Sequence, residues 1–314
     1  MSTSKGVYAL IKGFGDTIKH SFEDIAVPVF DKKYKKISVV GMGANYNAGL
    51  LLKEMLRDEI RVEVYQRPFI KEKDELVIFL SYSGNTKEVL HVYDKILGND
   101  LLVVTSGGKL MDWAKKRRVK IIEVPPHLHP RFTFSECFFP VLKCLGESGI
   151  IKKKNHVVSK IHDAVQNEDR RLQKEAEGLA KHIGKKVPLF YATEYFWPVA
   201  YRFQSSLSED DKIICHANRI TELFHNELEA IPSEKFFPVL FVDKKETWVY
   251  THMIEFFKKK LGKFFYFGYE DYSKEERTFL AFLLAYYLGF YLAISYKNKV
   301  PMGETPVSDL IKTK

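Results

Sequence analysis

Five apolar residues in a row, Leu76 to Leu80, give way within six positions to a helical repeat. An unbroken apolar run of that length reads as a strand buried on both faces, so the sheet around it must be covered by helices on both sides. Downstream, Val89, Leu90, Tyr93, Ile96 and Leu97 recur at helical spacing. The join between them is Ser81-Tyr82-Ser83-Gly84-Asn85-Thr86, which holds four hydroxyls, one amide and one glycine. Asn85 stands where it can cap the helix, with Glu88 three positions on to complete a capping box.

A polar loop running from the C-terminal end of a buried strand into a helix N-terminus suits an anion. Backbone N–H groups and the positive end of the helix dipole face the ligand there. Ser81, Ser83 and Thr86 add short donors for phosphate oxygens, and Gly84 lets the backbone approach closely. The loop contains no lysine of the nucleotide P-loop kind, which favours a monophosphate over a nucleoside triphosphate. By composition alone, a monophosphate site and an ordinary capped loop stay equally open.

The same alternation continues along the chain. Residues 1–35 read as a helical lead-in, with Phe14, Ile18, Phe22 and Ile25 near helical spacing. A strand at 36–40 leads into a second loop, Gly41-Met42-Gly43-Ala44-Asn45-Tyr46-Asn47, whose two glycines do not complete a dinucleotide fingerprint. Further strands are expected at 62–65, 101–104 and 119–124, with helices to about residue 57, at 109–117 and at 132–145. A charged helix over 155–183 links to a second series. That series has strands at 187–191, 212–215, 237–242 and 264–267, and helices at 198–207, 222–229, 247–261 and 274–296. This order predicts two α/β domains with parallel sheets, 36–150 and 151–314, and a site between them.

Composition narrows the classes. The 314 residues are 46% hydrophobic, enough for substantial cores. No apolar run reaches about 18 residues, so no membrane span is expected, and the N-terminus lacks a signal-peptide pattern, which predicts a cytoplasmic protein. Cys137, Cys144 and Cys215 lack metal spacing and read as reduced buried thiols. The net charge is +9. The basic residues are spread through short runs, Lys32–Lys36, Lys152–Lys154 and Lys258–Lys260, which read as solvated surface and do not predict a nucleic-acid partner. His127 and His129 lie in a proline-bounded turn without further ligand-type residues, so no metal is expected there.

The second half carries the titratable candidates. Glu209, in Ser208-Glu209-Asp210-Asp211-Lys212, falls at a predicted helix C-terminus. The helix dipole opposes a carboxylate there, which is expected to raise its pKa and suit it to act as a base. An exposed acidic turn is the plain alternative. His225 stands in Phe224-His225-Asn226-Glu227.

Taken together, these motifs resemble the archaeal-type bifunctional phosphoglucose/phosphomannose isomerases of the sugar-isomerase (SIS) domain family. The resemblance rests on Ser81 to Thr86, Thr105 to Gly108, Pro130-Arg131, Ala200-Tyr201-Arg202-Phe203 leading to Glu209 and Lys212, His225-Asn226-Glu227, and the tail Thr305-Pro306-Val307 with Lys312. It implies two SIS-type three-layer α/β/α domains with parallel sheets. It also implies a metal-independent aldose–ketose isomerase, without cofactor, acting on 6-phosphosugars as a homodimer that shares His225 across its interface. On that reading Ser81, Ser83 and Thr86 hold the phosphate, with Gly43 and Asn45 beside the sugar and Thr305 near C2. His225 and Lys312 open the ring, Glu209 moves the proton, and Arg131 stabilises the enediolate. The chain departs from the family where Asn45-Tyr46 replace Ser-Gly and Leu223-Phe224 replace Leu-Asn, which bears on substrate choice. A non-catalytic sugar-phosphate sensor and an isomerase for another phosphosugar are the alternatives.

Overall fold

Strands and helices alternate through the chain as the apolar runs require, and the strands assemble into two parallel sheets. The computed structural model describes residues 4–96, 98, 100–126, 132–209, 211–232, 234–243, 251–252, 255–256, 259–260 and 263–296. These form two compact units. One comprises residues 15–162, and the other residues 4–14 with 163–296.

The first unit contains β1 (Lys36–Val40), α3 (Ala44–Met55), β2 (Arg61–Tyr65), β3 (Glu75–Leu80), α4 (Lys87–Lys95), β4 (Leu101–Thr105), α5 (Gly108–Lys116), β5 (Lys120–Glu123) and α6 (Phe134–Glu147). Two helices precede β1: α1 (Ser4–Lys12), which belongs to the second unit, and α2 (Phe14–Glu23). The strand order is β2-β1-β3-β4-β5, all parallel. Every residue of β1, β3 and β4 is buried, which explains the unbroken apolar runs at 76–80 and 101–104. Alternate side chains separate the layers. Val77, Phe79 and Val103 pack with Val89, Tyr93 and Leu110 of α4 and α5. On the opposite face, Val39 and Val64 approach Gly49 of α3.

The second unit takes in α7 (Asn155–Ile183) from residue 163 and contains β6 (Val187–Ala192), α8 (Trp197–Glu209), β7 (His216–Arg219), β8 (Phe236–Phe241), β9 (Phe265–Tyr266) and α9 (Lys274–Ser295). Its strand order is β7-β6-β8-β9, again parallel. Phe190, Phe203, Phe241 and Phe267 form a chain of ring contacts between the sheet and α8. On the other face, Leu189, Tyr191 and Leu240 pack with Ile220, Leu223 and Leu228. Helix α9 is long and apolar enough to cross a membrane, but 83% of its most apolar window is buried. It packs on α8 and α1 as a core helix. A Ser273–Glu276 capping box starts it.

Three local expectations change. The strand expected at 212–215 lies at His216–Arg219. Lys212 adopts φ +58° and Ile213 N–H donates to Leu207 O at 2.9 Å, so these residues close α8 and extended pairing begins later. The helix expected at 222–229 starts as a single α turn at Ile220–Glu222, widens to a π turn at Leu223–Glu227 and tightens to a 3₁₀ turn at Leu228–Ala230. Lys36, read as part of a solvated run, is 4% exposed. Its ammonium meets Glu72 at 2.7 Å and Glu75 at 3.2 Å. Burial alone would lower the Lys36 pKa, but these carboxylates outweigh it and hold it above the ordinary value. Residues 251–252, 255–256 and 259–260 are helical, and the rest of the helix expected at 247–261 lies outside the described residues. His127 and His129 do so too. All three cysteines are free thiols, Cys137 and Cys144 buried and Cys215 half-buried.

Glu136, in the first turn of α6, is 2% exposed. Its Oε2 has no hydrogen-bond partner among the described residues. Burial pushes its carboxyl up to about 7, against the opposing pull of its own backbone N–H. Because the folded value lies above the unfolded one, the group favours the fold fully below about pH 4 and loses that contribution as pH rises towards 7. Glu136→Gln is therefore expected to match the parent in unfolding free energy near pH 4. At pH 8 it should exceed the parent by up to about 3 kcal/mol. Urea titrations at the two pH values check this, and an equal difference at both would refute it.

Candidate active site

In the first sheet the order of strands reverses between β1 and β3. Such a reversal leaves a crevice beyond the C-terminal ends of the strands, where open parallel sheets bind ligands. Both loops singled out in the sequence leave the sheet here: Gly41–Gly43 from β1 and Ser81–Thr86 from β3. Gly43 takes φ +54° as the N-cap of α3, a backbone state that suits glycine. Asn45 sits half-buried in the first turn of that helix. Helices α4 and α5 also begin at this edge, so their positive dipole ends face the same side.

The loop after β3 is held from within. Ser81 is buried, and its Oγ lies 3.0 Å from Oγ1 of Thr86, the N-cap of α4. Ser83 is exposed, and its Oγ accepts the Asn85 N–H at 3.3 Å. The three hydroxyls expected to hold a phosphate thus share one short turn.

A second loop, after β4, is dovetailed into the first. Ser106 N–H and Oγ both donate to Tyr82 O, at 2.9 Å and 2.7 Å. Leu110 N–H donates to Gly84 O at 2.9 Å. Gly84 has φ +64°, and a Cβ placed there would lie 1.8 Å from Gly107 O. Tyr82 Oη donates to Pro125 O at 3.0 Å, tying the loop to the end of β5. Asn85 does not cap α4. Its Oδ1 accepts the Lys109 N–H of α5 at 3.1 Å, so it caps the neighbouring helix and joins the two loops. The Thr105 to Gly108 motif gave the sequence signal for this second loop, but not its role as a clamp.

The other candidates belong to the second unit. Glu209 is the exposed last residue of α8. Lys212 turns back to donate its ammonium to Glu209 O. Arg202, from the Ala-Tyr-Arg-Phe motif, is 3% exposed and donates to Tyr286 Oη at 2.8 Å, so it secures α8 to α9. His225 is exposed in the middle of the π turn. At the end of that turn, Glu227 accepts hydrogen bonds from Tyr191, Asn218 and His216. In the sequence Glu227 stands in the His225-Asn226-Glu227 motif with no role evident, because its donors are scattered over two strands. Arg131, Thr305 and Lys312 lie outside the described residues. Among the described residues, no three His, Cys, Asp or Glu side chains gather to hold a metal ion.

Comparison with known proteins gives consistent findings. Residues 172–313 match the family model described as the bacterial phospho-glucose isomerase C-terminal SIS domain. A bifunctional phosphoglucose/phosphomannose isomerase from Caldicellulosiruptor bescii is 28% identical, with 93% of each chain covered. A D-glucosamine-6-phosphate 4-epimerase from Sulfolobus acidocaldarius is also 28% identical, over 68% of this chain and 71% of that protein. Among solved structures, the C-terminal domain of a glucosamine-fructose-6-phosphate aminotransferase from Francisella tularensis shares the fold. Its TM-score is 0.73 at 16% identity, covering 94% of this chain and 96% of that one.

Proposed function

We propose that this chain, whose residues 172–313 match an SIS domain model, is a sugar isomerase that interconverts glucose 6-phosphate and mannose 6-phosphate with fructose 6-phosphate through a cis-enediol, without a metal. The observation that carries this reading is the clamped Ser81–Thr86 loop, with its three hydroxyls at the reversal point of the first sheet. A turn of that kind presents short donors and a helix N-terminus to a phosphate, while leaving the sugar end of the ligand for other groups.

The chemistry follows from the aldose–ketose pair. Ring opening moves the proton of the anomeric hydroxyl away and delivers one to the ring oxygen as the C–O bond breaks. His225, supplied by a second copy of the chain, and Lys312 serve this step. Glu209 then takes the proton from C1 or C2, and the electron pair shifts to the carbonyl oxygen, giving an enediolate. Arg131 offsets the new negative charge, the role of a preorganised cation. The hydroxyl proton passes between O1 and O2 of the enediolate, and return of the proton from Glu209 to the neighbouring carbon completes the transfer. Glucose and mannose phosphates differ only at C2, which is planar in the enediol, so one intermediate serves both. Thr305 stands at the C2 region in this reading. The relative that epimerises glucosamine 6-phosphate favours a second reading, in which the sugar is an amino sugar.

The test is conversion of fructose 6-phosphate by the purified protein in excess chelator, following glucose 6-phosphate and mannose 6-phosphate separately, with glucosamine 6-phosphate in a parallel assay. Both hexose products are expected. Glucose product alone would mean that Asn45 and Tyr46 narrow the site. Phosphosugar binding without turnover would make the chain a sensor, and turnover of glucosamine 6-phosphate alone would establish the second reading.

A further inference from the structure

The wide turn that displays His225 is held by a cluster that the chemistry above does not use. Glu227 ends the π turn Leu223–Glu227. Its Oε2 accepts the Tyr191 hydroxyl at 2.6 Å. Its Oε1 accepts Asn218 Nδ2 at 2.5 Å and lies 3.1 Å from His216 Nε2. Tyr191 is on β6 opposite Asn218 of β7, and His216 is two residues before Asn218. Residues two apart on a strand share a face, so these three donors converge from one face of two paired strands. Burial works against charge on Glu227. The three hydrogen bonds outweigh it and hold the carboxyl below its ordinary range, so Glu227 stays ionised at neutral pH.

The turn is anchored at its base as well. Leu228 N–H donates to Leu223 O, the five-residue closure of a π turn. Leu223 is fully buried and Leu228 nearly so, and both pack with Leu189, Tyr191 and Leu240. Two apolar anchors fix where the turn sits on the sheet. They do not fix its rotation, because an apolar contact is non-directional. A carboxylate with three directional donors does.

We infer that Glu227, gripped by Tyr191, Asn218 and His216, is the positioning residue that sets the orientation of His225. The inference rests on the ring-opening role given to His225 above. Glu227 touches no reacting atom. It acts through the turn two residues away, and a small displacement of a catalytic group is enough to lower a rate by up to about 10²-fold.

The test is a double-mutant cycle on the full-length protein, assayed with fructose 6-phosphate. Glu227→Gln is expected to lower kcat by about 10- to 100-fold while KM moves less than about threefold. In a His225→Ala background the same change should lower kcat by no more than about twofold, since the group it positions is already gone. Tyr191→Phe, which removes one donor and no charge, should give a smaller loss of the same kind, and it carries the test if Glu227→Gln fails to fold. Equal losses in both backgrounds, or an unchanged kcat in Glu227→Gln, would overturn the inference. Full activity of His225→Ala alone would instead remove the ring-opening role, and the inference with it.

Discussion

Glu209→Gln is expected to lower kcat for fructose 6-phosphate by about 10²–10⁴-fold, the range a positioned general acid–base contributes. Glutamine keeps the size and polarity of the side chain but has no oxygen basic enough to take a proton from carbon. Backbone and lysine contacts close the end of α8. The turn is made by the backbone of Ile213 and Leu207 and by Lys212 reaching the Glu209 carbonyl, so the fold should survive. KM should change little, because the Ser81–Thr86 loop proposed to take the phosphate lies in the other unit and is untouched. A second readout separates loss of chemistry from loss of binding. In D2O the parent enzyme should place deuterium at C1 or C2 of recovered substrate, and the variant should not. Normal turnover with normal deuterium exchange in the variant would sink the assignment of Glu209 as the base.

Gly84→Ala is expected to damage both the fold of the first unit and its grip on phosphate. The position has φ +64°, where a side chain is strained by about 1–2 kcal/mol. The new methyl would also lie 1.8 Å from Gly107 O, a backbone atom that cannot rotate away. The two loops must therefore separate. That breaks the Leu110-to-Gly84 bond and strains the two bonds from Ser106 to Tyr82. Strain and overpacking together should lower stability by about 3 kcal/mol. KM for fructose 6-phosphate should rise more than about tenfold, as Ser81, Ser83 and Thr86 lose their common geometry. Ser83→Ala is the control, since it removes one exposed hydroxyl without moving the backbone, and it should raise KM far less. Thermal unfolding and initial rates measure both effects. An unaltered Tm and KM in Gly84→Ala would mean that the loops are not clamped as described.

Much of this was legible from local pattern. The apolar runs at 76–80 and 101–104 are buried on both faces, and the hydroxyl-rich loop follows the strand it was expected to follow. Period and run length report burial, because each residue's face is set by its neighbours a few positions away. The same logic failed at 212–215. Ile213 and Ile214 have strand composition, but one is buried and the other is 82% exposed. The closure of the preceding helix decided their conformation, and β propensity yielded to it.

The sequence by itself therefore determined the two parallel sheets and the polar loop between β3 and α4, since these rest on composition and short-range spacing, whereas the roles given to Glu209 and His225 rest on the family resemblance. Only the tertiary structure decided that Asn85 caps α5, that Lys36 is buried against Glu75, and that Tyr191, Asn218 and His216 converge on Glu227. The reason is that hydrogen-bond partners are chosen by strand order and register. These bring together groups that lie far apart in the chain, and no local pattern records which donor will meet which acceptor.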